Sequence, residues 1–206
     1  MSTDTKSATV ARKSSANWLF GLTLLGLLLA MCIVLSFTTK SFLTEANIMN
    51  LMRQGSMIAI LAVGETFVII TTGIDLSVGA VVGFCTVIAA WLLTHDFSIF
   101  TTVVITLGVG VAIGMFHGFG IVQMGLPPFI ITLATLTSLR GIGLLITNGA
   151  TINIVNDTFT EFSRNDFIGL PNLFWMVILV GVPAYIFLHH SRYGRYIFAV
   201  GSNMEA

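Results

Sequence analysis

Three charged residues interrupt the long apolar stretches of this sequence and are its main candidates for chemistry: Glu65, Asp75 and Arg140. An unpaired charge costs at least about 2.5 kcal/mol at the centre of a membrane helix, so each side chain should face protein or water. For Glu65 and Arg140 two interpretations stand equal. Either they line a pathway through the membrane or pair across helices, or they are satisfied locally, Glu65 by protonation or by neighbouring hydroxyl groups.

Asp75 belongs to the stretch TTGIDLSVG (71–79), in which an acid and two glycines separate two apolar runs. This pattern predicts a break between two helices. We expect Gly73 to adopt the left-handed conformation that ends the first helix, and Asp75 to cap the second by accepting from the amides near Ser77 and Val78. We favour this capping role for Asp75 over direct contact of Asp75 and Ser77 with a substrate or ion.

Sequence motifs of enzymes are not found. The chain contains no P-loop, no H-E-x-x-H and no G-x-S-x-G, and no nucleophile and base share a recognisable spacing. We therefore expect no enzyme activity, no metal and no cofactor held by the chain. Cys32 and Cys85 lie inside apolar runs and are interpreted as small buried hydrophobic residues.

The elements that position these residues follow from composition. Hydrophobic residues make up 55% of the 206 residues and charged residues 9%, far below the roughly one-quarter charged content of soluble domains. Such a chain requires a lipid membrane as its environment. The formal net charge is zero and no basic stripe is present, which excludes a nucleic acid partner.

Six apolar runs are long enough to cross a bilayer core of roughly 30 Å. They cover residues 18–37, 48–72, 76–93, 99–124, 128–146 and 173–188. Backbone groups in lipid must be paired within the segment, and the runs are too continuous for the alternating strands of a barrel. The sequence therefore predicts an all-α membrane protein, a polytopic bundle of about six transmembrane helices.

Basic residues flank the first and last runs: Lys6, Arg12, Lys13, Arg192 and Arg195. The first run is longer than the apolar region of a signal peptide and is interpreted as an uncleaved span. By the positive-inside rule both termini are cytoplasmic. We predict a cytoplasmic tail (1–16), a transmembrane domain (17–190) and a cytoplasmic segment (191–206). The polar segment 148–171 then faces outward and carries a short helix.

Glycines at four-residue intervals form stripes on two predicted helices: Gly79 and Gly83, then Gly110, Gly114 and Gly118. Such stripes let helix backbones approach closely, so they predict packing contacts within the bundle.

Two further polar residues have simpler interpretations. Arg53, near the start of the second run, is interpreted as snorkelling to the outer interface. His117, beside the second glycine stripe, is expected to be packed or hydrogen-bonded rather than a ligand.

Four pieces of the sequence carry a resemblance to a known family. In chain order they are FLTEANIMNLMRQGS (42–56), AVGETFVIITTGIDLSVGA (62–80), GLPPFIITLATLTSLRGIGLLITNG (125–149) and RYGRYIFAVGSNMEA (192–206). Together they resemble the permease subunits of bacterial ABC importers for monosaccharides, of the ribose, xylose and autoinducer-2 type. The GIDLSVG piece is highly specific to that family, and the resemblance covers essentially the whole chain after its N-terminus.

The resemblance implies a partial ABC importer permease fold that forms the translocation pathway of an ATP-driven sugar importer. The implied partners are a second permease subunit, a periplasmic sugar-binding protein and cytoplasmic ATPase subunits that use the ATP, all at the bacterial inner membrane. By similarity, the segment 192–206 engages the ATPase, which makes Arg192, Arg195, Asn203 and Glu205 candidates for coupling.

The resemblance also implies a truncation. Family members continue with several more spans, whereas this sequence stops at Ala206. Ser202 or Asn203 could cap a further helix, yet far fewer residues follow than the roughly 12 that an isolated helix needs. We therefore expect a C-terminally truncated permease that does not transport alone.

Two alternatives to this function stay open. One is a proton-coupled secondary transporter that uses Glu65, Asp75 or Arg140 for coupling. The other is a non-transporting assembly subunit, a role that the expected truncation favours.

Overall fold

The computed structural model describes residues 4–154 and 156–202, with side chains from residue 20 onward. Within these residues the backbone forms eight helices and one two-stranded sheet. In chain order they are α1 (Asp4–Thr38), α2 (Glu45–Ile70), α3 (Val78–Thr94), α4 (Ile99–Val122), α5 (Pro128–Thr147), α6 (Asp157–Arg164), β1 (Asp166–Phe167), β2 (Leu170–Pro171), α7 (Asn172–His190) and α8 (Arg192–Ser202). The strands are antiparallel, with Asp166 opposite Pro171 and Phe167 opposite Leu170.

Helices with the length and composition of membrane spans account for most of the described chain. Five qualify: the part of α1 covering Phe20–Thr38, and the whole of α2, α4, α5 and α7. The sixth predicted span is α3, which is apolar but has 17 residues, the lower end of the length range for a span. The predicted all-α membrane fold is confirmed, with five full-length spans and one short apolar helix among the described residues.

Apolar side chains cover the outside of these helices. Phe100, Val122 and Leu145, on α4 and α5, are each more than three-quarters exposed within the chain (78%, 76% and 76%). Large apolar side chains on an outer surface suit lipid or further helices as neighbours, because neither competes for hydrogen bonds.

The chain divides into two compact units, Met1–Leu51 and Met52–Ala206. In the first unit, α1 begins at Asp4, inside the segment predicted as a tail, and continues through the first span without interruption. The start of α2 is capped by Thr44, whose hydroxyl oxygen accepts from the Asn47 amide at 3.4 Å.

The second unit is organised around α3. This helix packs against α4 and α5, which also pack against each other, while α7 packs against α6 and α8. The buried apolar residues of the three central helices are Ala80, Ala90, Leu92, Leu93, Ile131 and Leu139. His117 on α4 is buried and lies 2.8 Å from the Thr135 hydroxyl on α5, which confirms the hydrogen-bonded role predicted for it.

The polar segment 148–171 folds into a short helix and a small hairpin. α5 ends at Asn148, whose φ of 50° is left-handed and closes the helix. The Asn156 side chain then caps α6 by accepting from the Phe159 amide at 3.0 Å. The predicted short helix in this segment is confirmed.

Arg53 on α2 is attached to this segment. Its Nη2 atom lies 2.9 Å from Asp166 Oδ1 and donates to the Arg164 carbonyl oxygen at 2.7 Å. Whether Arg53 reaches the outer interface stays a prediction, but its guanidinium is held by a carboxylate and a carbonyl oxygen of the segment predicted to face outward.

Candidate functional site

The break between α2 and α3 (residues 71–77) has the hydrogen bonds of a Schellman turn. The Gly73 amide donates to the Val68 carbonyl oxygen at 2.9 Å, and the Thr72 amide donates to that of Ile69 at 3.0 Å. Thr72, with φ of 60°, is the left-handed residue, so the prediction that Gly73 is left-handed is wrong.

Glycine is favoured at position 73 for a different reason. A methyl group in its place would lie 3.0 Å from Val68 Cγ1 and 3.2 Å from the Val68 carbonyl oxygen. Glycine therefore allows the chain to pass close to Val68 in the last turn of α2. The left-handed conformation is adopted by the preceding residue, Thr72.

Asp75 holds the start of α3, as predicted. Its Oδ1 atom accepts from the Ser77 amide and from the Ser77 hydroxyl, both at 2.7 Å. Ser77 is fully buried and is the residue that immediately precedes α3. The carboxylate also lies near the positive end of the helix, where a negative charge is favoured.

Thr132, which the sequence did not single out, ties the break to the first turn of α5. Its Oγ1 accepts from the Leu76 amide at 3.3 Å, and its hydroxyl can donate to the carbonyl oxygens of Pro128 at 2.9 Å and Ile74 at 3.3 Å. The side chain is buried. No local pattern in the sequence links positions 76 and 132, because the contact arises only when α3 packs beside α5.

Glu65 lies on α2 before the break. Among the described residues, Oε1 of this side chain is buried without a hydrogen-bond partner, and Asp75 is near enough to act on it electrostatically. No salt bridge joins Glu65 to Arg140, although both are described. Pairing across helices and satisfaction by hydroxyl groups are therefore both wrong for Glu65.

Arg140 lines a cavity of about 590 Å³ between α3, α5 and the residues that follow α5. The wall also contains the hydroxyl groups of Thr86 and Thr147 and the glycines Gly79 and Gly83. The Arg140 side chain is exposed, and it has no salt bridge within the described residues. The two hydroxyl groups donate to the carbonyl oxygens of Val82 and Leu144, so they can accept from a solute while the guanidinium donates. This combination is suited to a solute that carries hydroxyl groups.

A second cavity, of about 630 Å³, lies between α4 and α5 and is almost entirely apolar. Phe116, Met124 and Ile130 contribute to its wall. Because the two volumes are similar, the polar lining and not the size selects the Arg140 cavity as the candidate site for a polar solute.

The predicted glycine stripes do not form tight contacts. Within the described residues, a methyl group would find no heavy atom within 4 Å at any of the five positions, Gly79, Gly83, Gly110, Gly114 and Gly118. The packing prediction is therefore wrong inside this chain, because these faces point into the cavity or away from the neighbouring helices.

α8 carries two of the predicted coupling residues. Arg192 and Arg195 are exposed on it, and Asn203 and Glu205 lie outside the described residues. Ser202 is the last described residue and belongs to α8. The helix begins after Ser191, whose hydroxyl oxygen accepts from the Gly194 amide at 2.9 Å.

No cluster of three or more histidine, cysteine, aspartate or glutamate side chains that could hold a metal ion occurs within the described part of the chain. Both cysteines are half-buried free thiols. The chemistry that the site offers is therefore hydrogen bonding and charge.

Comparison with known proteins places these features in a family. Residues 47–206 match the family described as branched-chain amino acid transport system / permease component. The ribose import permease protein of Escherichia coli K12 is 35% identical over 206 aligned residues, which cover 98% of this chain and 64% of the relative. This chain thus spans less than two thirds of the length of that relative.

Two other relatives carry different substrate names. The xylose transport system permease protein of Haemophilus influenzae Rd is 32% identical over 82% of this chain and 45% of its own length. The autoinducer 2 import system permease protein of E. coli K12 / DH10B is 31% identical over 82% of this chain and 49% of its own length. No solved structure matches the chain.

Proposed function

This chain belongs to the branched-chain amino acid transport system / permease component family, and on that basis we propose that it forms part of the membrane pathway of an ATP-driven monosaccharide importer. The observation that carries the proposal is the alignment of 98% of the chain with a ribose import permease. Relatives with ribose, xylose and autoinducer 2 in their names support a small polyhydroxylated solute as the substrate class.

The cavity between α3 and α5 is the proposed place where the solute passes. The Arg140 guanidinium offers several hydrogen-bond donors in this wall, and a sugar presents oxygen acceptors in every orientation. The hydroxyl groups of Thr86 and Thr147 donate to carbonyl oxygens of their own helices, so toward a sugar they act as acceptors. A weak and adaptable set of donors suits a pathway, because a solute must leave it as readily as it enters.

The proposed assembly contains two permease subunits, a periplasmic sugar-binding protein and cytoplasmic ATPase subunits in the bacterial inner membrane. In this arrangement both termini are cytoplasmic, the polar segment 148–171 faces the binding protein, and α8 faces the ATPase. Exposed Arg192 and Arg195 support the last assignment, since exposed cations can pair with acidic residues of a partner. The chain itself binds no cofactor, because the ATP is used by the partner.

Uptake from intact cells tests the proposal. Deletion of the gene should abolish ATP-dependent uptake of radiolabelled ribose or xylose, and the protein should co-purify with an ATPase subunit. Arg140→Ala at the native locus should lower uptake about tenfold, with Arg140→Lys intermediate because lysine keeps the charge but loses the planar donors. Lys40→Ala, an exposed cation outside the cavity wall and outside the segment 148–171, is the matched control. Unchanged uptake of both sugars after deletion, without a co-purifying ATPase, would contradict the proposal.

A proton-coupled transporter is the second candidate, favoured by Glu65, a carboxyl within a span whose Oε1 is buried without a hydrogen-bond partner among the described residues. It is separated from the first by energy dependence. If an uncoupler abolishes uptake while cellular ATP is held constant, and Glu65→Gln has the same effect, then the second candidate replaces the first.

A further inference from the structure

α8 lies across the ends of two other helices. At its beginning, a methyl group on Gly194 would overlap the backbone carbonyl oxygen of Leu188, in the last turn of α7. At its other end, a methyl group on Gly201 would overlap the carbonyl oxygen of Ile70, the last residue of α2. Its 11 residues make α8 about 16 Å long, so it bridges the ends of α7 and α2.

One face of α8 makes this bridge. Gly194 is buried, and Ile197 and Gly201 are half-buried, whereas the other residues of the helix are exposed. Spacings of three and four residues place these side chains on the same face. The bridge therefore leaves the rest of α8, including Arg192 and Arg195, accessible to a partner.

The Ile70 carbonyl is a free end of α2. The carbonyls of Val68 and Ile69 accept the two hydrogen bonds of the Schellman turn, but none of the described residues donates to that of Ile70. The α carbon of Gly201 covers this oxygen at close range, a contact of the weak C–H···O type. Only glycine permits it, because any larger residue would collide with backbone that cannot rotate away.

A series of further contacts leads from Ile70 through the break between α2 and α3. Directly after Ile70, the chain forms the turn, and Leu76 then meets Thr132 on α5. α5 and α3 form the wall of the Arg140 cavity. A continuous set of backbone and hydroxyl contacts therefore joins the end of α8 to the cavity.

We propose that Gly201 is a positioning residue, whose contact with Ile70 carries displacements of α8 through the break and Thr132 to the α3–α5 wall of the cavity. The inference rests on the proposed function, in which the ATPase moves α8. Its structural part, the mechanical link, can be measured without any ATPase or sugar.

The test uses the chain in lipid nanodiscs. Cys32→Ser and Cys85→Ala remove both native thiols, and Thr86→Cys places a single reporter thiol in the cavity wall. We expect Gly201→Ala to change the rate of maleimide labelling at the reporter at least about threefold. Gly110→Ala, on an open face of α4, is the matched control and should leave the rate unchanged.

A double-mutant cycle tests whether the effect of Gly201→Ala reaches the cavity through Thr132. In a Thr132→Val background, which cuts the link between the break and α5, Gly201→Ala should no longer alter labelling. If Gly201→Ala does not fold, Thr132→Val alone replaces it, because it breaks the same link at the Leu76 amide and should itself change the labelling rate. An unchanged rate in whichever variant folds overturns the inference, as does a change that persists with Thr132→Val.

Transport provides a separate measurement. With Gly201→Ala at the native locus, uptake should fall about tenfold while the ATPase subunits still co-purify and hydrolyse ATP. Wild-type cells without uptake would contradict the proposed function, and the labelling result would then still decide the mechanical link.

Discussion

Three glycines near helix ends differ from two in the middle of α4 in what surrounds them. A methyl group on Gly73, Gly194 or Gly201 would press against backbone carbonyl oxygens. A methyl group on Gly110 or Gly114, in the middle of α4, would meet nothing. The glycines of the regular stripe are open, whereas these three glycines near helix ends contact backbone.

The difference has a physical origin. The last carbonyl groups of a helix have no partner within that helix, so a chain that passes close to them can cover them. Only glycine allows such an approach to backbone. In the middle of a helix the carbonyls are already paired, and a glycine there becomes a contact only if another helix is present to use it.

Gly194→Ala is the change with the largest expected effect on this comparison. The added methyl group would overlap the Leu188 carbonyl, so α8 must leave α7 or α7 must unwind. We expect a loss of about 3 kcal/mol, measured from thermal unfolding in detergent. Gly181→Ala, within α7 and in open space, is the control. Equal unfolding temperatures for the two variants would remove the distinction between helix ends and middles.

Asp75→Ala tests the polar contacts at the same end of the second unit. It removes both hydrogen bonds to buried Ser77, and we expect a loss of about 1–2 kcal/mol. Asp75→Asn separates hydrogen bonding from charge, because the amide oxygen still accepts while the charge near Glu65 disappears. A loss as large for asparagine as for alanine would show that the charge, and not the cap, stabilises the start of α3.

The sequence predicts the helices well and the contacts between them poorly. The break at 71–77, the capping of Ser77 by Asp75 and the short helix α6 follow from local hydrogen-bonding chemistry, which neighbouring residues determine. Gly73 was assigned the wrong conformation because the left-handed position depends on where the last turn ends. The sequence does not single out Thr132, Gly194 or Gly201. Thr132 and Gly201 contact backbone that is distant in the sequence, and Gly194 contacts backbone on the other side of the turn between α7 and α8.

Asp166→Asn measures the contribution of the salt bridge between Arg53 on α2 and Asp166 in the segment 148–171. The two side chains are 24% and 37% exposed, so water screens the pair, and we expect a loss below about 1 kcal/mol. The loss should shrink as salt is added, because screening weakens an exposed pair. Glu161→Gln, an exposed carboxyl of α6 without a salt bridge among the described residues, is the control. A larger loss that does not respond to salt would show that the pair is shielded from solvent.

Gly114→Ala has the smallest expected effect and gives the sharpest test of the open helix faces. Alanine loses less conformational entropy than glycine in a helix interior, so the isolated chain should be unchanged or stabilised by up to about 1 kcal/mol. Thermal unfolding of the purified chain measures this. A clear loss there would contradict the open face that the structure shows. A loss that arises only in an assembled complex would instead mean that a neighbouring subunit packs on α4, because the same methyl group would then meet a second backbone.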